Sequence, residues 1–78
     1  MPALAYMLAT VARGRIDAVS QRLMKLKEVE NTHQLYGQWD IIIKIRTKTM
    51  ADLRDFVEKV RKLDGITGTE TLLASDVF

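Results

Sequence analysis

YGQWDIIIKI, residues 36–45, sets a glycine and a carboxylate around a tryptophan and then turns almost wholly apolar. Side chains alternate along a strand, so Ile41, Ile43 and Ile45 share one face while Ile42, Lys44 and Arg46 share the other. Residues 40–46 therefore read as the clearest strand in the chain. Gly37-Gln38-Trp39 reads as a tight turn, with Gly37 taking a positive φ that other residues resist. Residues 29–36 read as a weaker strand leading into it. The stretch is a hairpin, and it poses a question. A surface turn has no evident need for Trp39 and Asp40 immediately before a strand that belongs in a core.

Working outward, ALAYMLATV (Ala3–Val11) is apolar on both alternating faces. Leu4, Tyr6 and Leu8 lie on one side, and Ala5, Met7 and Val11 on the other. A helix is the competing reading, but the segment is short and has no polar face. A strand apolar on both sides is usually covered on both. After Gly14, Ile16, Val19, Leu23 and Leu26 recur at helical spacing, with Asp17 near the start and Lys25 and Lys27 near the end, as the helix dipole prefers. Thr49 is placed to cap a second helix, with Asp52 three residues on. Met50, Leu53, Phe56, Val57, Val60 and Leu63 form its expected buried stripe, and Asp64-Gly65 its stop. Residues 67–75 make a last strand. The order βαββαβ predicts an α+β, ferredoxin-like fold: a four-stranded antiparallel sheet with two helices on one face. The other face would meet a second copy, giving a dimer packed through its sheets.

Composition agrees. A chain of 78 residues without cysteine has neither disulfides nor thiolate metal sites to supplement a small core. Association is the remaining common source of stability, and 47% of the residues are apolar. No repeat, linker or low-complexity segment divides the chain, so residues 1–78 read as one domain. No run is long enough to span a membrane. MPALAYMLATVARGR resembles a signal peptide only in its apolar centre, lacks a basic leading region, and contains a good strand. A cytoplasmic location is expected. The net charge of +2, with both signs interspersed, argues for neither a nucleic-acid nor a membrane surface.

The fold hosts unrelated functions, so function must come from sites. RNA binding on this topology needs aromatics on the central strands, and IIIKIRT has none. Arg13-Gly14-Arg15 is a weak anion-loop signal with no nucleophile or base beside it. His33 stands alone, without an acid–base partner nearby in sequence, and reads as a strand residue at an interface. Lys59, Arg61 and Lys62 read as a solvated helix face. Neither a metal nor a cofactor is expected. A small enzyme with a pocket over the sheet, using His33 or Tyr6, has little support.

Two features remain: the turn Tyr36-Gly37-Gln38-Trp39-Asp40, and DGITGTET, residues 64–71. Their plain readings are a hairpin turn in which Asp40 caps backbone donors, and a helix stop followed by a threonine-rich edge strand. Together they also suit a small zwitterion. Asp40 with the same-face hydroxyls of Thr69 and Thr71 would hold an ammonium group, and open backbone at the glycines a carboxylate.

AYMLATV, MKLKEVEN, THQLYGQWDIIIKIRTK and LDGITGTETLLAS together resemble the C-terminal effector domain of the Lrp/AsnC transcription regulators, the RAM domain. The resemblance covers essentially the whole chain. Its most specific part is the pairing of Gly-x-x-Asp before an apolar strand with Gly-Ile-x-x-Thr-x-Thr after the second helix. It implies an amino-acid site between subunits, with Gly37 and Asp40 on the turn motif and Thr69 and Thr71 on the closing motif. Tyr36 stands where the family usually has serine or threonine, which would narrow the pocket or change the side chain it accepts. Trp39 sits where the family often has an aromatic. Implied partners are a small amino acid, further copies of the chain (a dimer, a tetramer of dimers or a ring), and full-length relatives. Family members usually carry a helix-turn-helix domain ahead of this one. No segment here offers a recognition helix, so the stand-alone form, without direct DNA contact, is expected.

Overall fold

The computed structural model describes residues 2–75. In chain order these form β1 (Ala3–Val11), α1 (Ile16–Met24), β2 (Val29–Gln34), β3 (Ile41–Thr47), α2 (Met50–Arg61) and β4 (Ile66–Leu73). The strands lie in the order β2-β3-β1-β4, every neighbouring pair antiparallel. β1 is thus parallel to β2 with β3 between them, and β3 parallel to β4 with β1 between them. Each helix is the crossover joining such a parallel pair, which is the expected ferredoxin-like arrangement.

The alternation in β1 and β3 decides which face is covered. Ala5, Met7 and Ala9 stand opposite Ile45, Ile43 and Ile41, and all six are fully buried. Val19 and Leu23 of α1 and Leu53, Phe56 and Val60 of α2 close over them. At about 1.5–3 kcal/mol for each large aliphatic or aromatic side chain removed from water, this face dominates the fold's stability. Thr49 caps α2 as expected, its hydroxyl accepting from the Asp52 amide at 3.0 Å. Met50 is exposed instead of joining the stripe; it is the first residue of the helix, a turn before the first buried position. α2 also stops earlier than Gly65. Lys62 and Leu63 donate to carbonyls three residues back, and Gly65, at φ 100°, serves the bend into β4. β2 ends at Gln34 and β4 at Leu73, two residues short of the sequence expectation in each case.

Among the described residues, nothing covers the opposite face. Leu4 is buried there but lies outside the core cluster. Tyr6, Leu8 and Ile42 are half-buried, and Leu72 is exposed. At its β2 side Glu30 meets Arg46 at 2.7 Å and Lys44 at 3.5 Å. The hydrogen bond from Arg46 holds the Glu30 carboxyl below its ordinary range, with the positive charges of Arg46 and Lys44 adding to the effect.

Candidate functional site

The antiparallel register brings three connections to one end of the sheet: residues 12–15 after β1, the turn 35–40, and residues 62–65 before β4. Ala12 donates to the Gly65 carbonyl at 2.7 Å, and Arg15 pairs with Asp64 at 2.7 Å, so the first and last of these are tied together. The turn is tied by Asp40. Its carbonyl accepts from Leu35 at 2.8 Å and closes the turn, while its amide donates to the Ala9 carbonyl at 2.9 Å. Its carboxylate Oδ2 accepts from the Val11 amide at 2.8 Å. The β1–β4 register shifts between Thr10 and Val11. A bulge there disrupts the ladder locally, and Asp40 satisfies the amide beside it. Gly37 has φ 130° as expected, with open space around it. Tyr36 is fully exposed and Trp39 half-buried.

On β4, Thr69 and Thr71 stand opposite Ala9 and Met7 and so share the helix-covered face. Gly68 lies against Thr10, whose Oγ1 would sit 3.0 Å from an added Cβ. Thr10 and Thr67 share a hydroxyl hydrogen bond of 2.8 Å. Beside these residues is a polar depression of about 230 Å3 lined by Arg61, Ile66, Thr67, Gly68 and Thr69. Among the described residues β4 pairs only with β1, so none of them adds a further strand to the outer backbone edge beside this depression.

Within one chain, Asp40 and Thr69 are at the same end but do not form a single cradle. Ile41, Ala9 and Thr69 lie across three adjacent strands, a separation of roughly 10 Å at ordinary strand spacing. Thr71 lies further from that end, and Tyr36, Gly37 and Trp39 belong to the turn. Arg61 is the residue that sequence reading set aside. Its helical position marks it as solvent-facing, and only the return of the chain from α2 into β4 places it beside Thr67 and Thr69. A larger groove, about 840 Å3, lies at the opposite end, where Lys27, Lys48, Asp52 and Asp55 surround Phe56. None of the sequence-predicted residues reaches it. His33 is exposed on the uncovered face opposite Ile42. Among the described residues no group of three or more His, Asp or Glu side chains is placed to share a metal ion, and no helix is long and apolar enough to cross a membrane.

A ferredoxin-like domain whose described residues leave one sheet face bare and a small polar depression on a strand edge has features that suit ligand binding or assembly. The chain belongs to the family described as the Lrp/AsnC ligand binding domain, which it matches over residues 4–78. It is 32% identical over 74 residues to the HTH-type transcriptional regulator FL11 of Pyrococcus furiosus, covering 95% of this chain and 49% of that one. The chain therefore spans about half the length of that curated relative. Among solved structures it resembles FFRP-DM1 at TM-score 0.89 and 36% identity, covering 92% of this chain and 97% of that one. It also shares its fold with the regulator NMB0573 of Neisseria meningitidis, solved as an L-Met complex, at TM-score 0.81 and 14% identity, with 95% and 50% covered.

Proposed function

We propose that this chain is an amino-acid-sensing effector domain. It binds a small amino acid between subunits and assembles as dimers or larger closed sets. The observation that carries the proposal is the polar depression at Thr69, at the sheet end that also holds the Asp40 turn, in a member of a ligand-binding family. At about 230 Å3 the depression falls below the roughly 300–1,000 Å3 of ordinary small-molecule pockets. It accommodates a head group and leaves the rest of a ligand to be covered by a second chain. In that arrangement Asp40 and the Thr69–Thr71 pair come from different chains, with Gly37, Tyr36 and Trp39 shaping the turn's side of the site. The L-Met complex of NMB0573 supports an amino acid as the ligand class. The dimer itself forms through the uncovered face, where Leu8, Ile42 and Leu72 await cover. A ligand that binds one assembly better than another shifts the population by that difference in affinity. Co-assembly with full-length relatives would carry such a shift to a DNA-binding protein.

Thermal unfolding at fixed protein concentration, against each of the twenty amino acids, tests this. A ligand at a hundred times its Kd that binds only the native state stabilises by about 2.7 kcal/mol. For a domain of this size that raises Tm by on the order of 10 °C. Response to one or a few amino acids is expected.

One observation favours a second reading, a ligand-free oligomerisation module that co-assembles with DNA-binding relatives. The Asp40 carboxylate is already engaged by the Val11 amide. A flat panel, together with recovery of such a relative on the tagged chain, would establish that reading in place of the first.

A further inference from the structure

We infer that Arg61 receives the α-carboxylate of the bound amino acid. The inference rests on the sensor reading and assigns its anionic half to a side chain. Arg61 is the last residue of α2 and lines the depression beside Thr67, Gly68 and Thr69. Its ion pair with Glu58, 3.1 Å through Nη1, is an i,i+3 contact with both side chains more than half exposed. Such pairs are weak, and the guanidinium has five N–H donors, so the remaining fork is available to a planar carboxylate. Two further kinds of donor border the same space. One is the outer backbone edge of β4, which no strand among the described residues covers. The other is the Thr69 hydroxyl; that of Thr67 is already shared with Thr10.

Glu58 is the acid in direct contact with Arg61, and an incoming carboxylate shares or displaces that exposed pair; the other acids near the depression are held or turned away. Asp64, the acid in the connection leading to β4, is held by Arg15. Glu70 stands opposite Leu8 and so lies on the uncovered face of the sheet, away from Thr69. Asp40, roughly two strand spacings away, is tied to Val11. An anion entering the depression meets Arg61 as the charge that lines it.

The test compares the wild-type chain with Arg61→Gln and Arg61→Lys. The probes are an equimolar mixture of the twenty L-amino acids and the matching mixture of their α-carboxamides. All three proteins without ligand are expected to melt together, since Arg61 contributes only an exposed pair. The amino-acid mixture is expected to shift the wild-type midpoint, with affinity at least tenfold weaker in Arg61→Gln and partly restored in Arg61→Lys. The carboxamides are expected to bind wild type and Arg61→Gln alike. Equal amino-acid response in wild type and Arg61→Gln would overturn the role of Arg61 and leave the sensor reading standing. Equal losses for acids and amides would overturn it too, because Arg61 would then shape the site without reading the carboxylate. No response in the wild type would overturn both.

Discussion

Replacing Asp40 by alanine separates the two demands placed on that residue. The wild-type carboxylate accepts a 2.8 Å hydrogen bond from the partly buried amide of Val11, 29 residues away. Alanine leaves that amide without its partner at the bulge and removes a bond to a charged group, together costing about 1.5–3 kcal/mol. At roughly 4–8 °C per kcal/mol for a domain of this size, Tm should fall by roughly 6–24 °C. Asparagine keeps an acceptor oxygen in place and loses only the charge, so Asp40→Asn should cost less than half as much. Amide exchange at Val11 reports the bond directly: protection should drop in the alanine variant and largely persist with asparagine. An alanine variant melting within about 2 °C of wild type would refute the clamp, because the smallest cost assigned to a charged bond exceeds that. The asparagine variant then becomes the probe of ligand binding, since it folds and lacks the charge. Weaker amino-acid binding is expected, and unchanged affinity would remove Asp40 from the ligand site.

Gly65→Ala should destabilise by about 2–4 kcal/mol in denaturant melts, combining a left-handed backbone with overpacking; its φ is 100° and the new Cβ would lie 2.8 Å from Val19 Cγ2. Gly14→Ala, at φ 77° with nothing within 4 Å, should cost only the backbone share of about 1–2 kcal/mol. Leu8→Asp, on the uncovered face, should shift sedimentation from dimer to monomer while the circular dichroism spectrum persists; an unchanged dimer would move the interface elsewhere. Glu30 has a lowered carboxyl pKa through Arg46, so its contribution is present above the unfolded pKa and is lost as pH falls through the folded one. The Tm difference between wild type and Glu30→Gln should therefore be flat from about pH 6 to neutrality and shrink progressively as pH falls below about 5.

The parts of this molecule legible in its sequence are those written as a period. The two-residue alternation of β3 and the helical stripe of α2 depend only on near neighbours, and they recover the sheet, the covered face and the Thr49 cap. Met50 and residues 35–36 escaped because periodicity says which face a residue takes and not where an element stops. The site is a different kind of object. That Asp40 meets Val11 depends on a bulge in a strand 29 residues earlier, and nothing in ATVAR marks one. That Arg61 borders Thr67 and Thr69 depends on where α2 ends and how β4 registers on β1, while helical spacing alone makes it one more exposed cation. The question raised by YGQWDIIIKI has its answer at that same level. A carboxylate precedes the buried strand because its backbone closes the turn while its side chain holds the amide at the bulge of the neighbouring strand. One residue joins three segments at the sheet end where the ligand is proposed to bind. An effector contacting that turn would press on the hydrogen bonds that hold β1, β3 and the turn in register, which gives occupancy a direct route to the sheet whose uncovered face forms the proposed dimer.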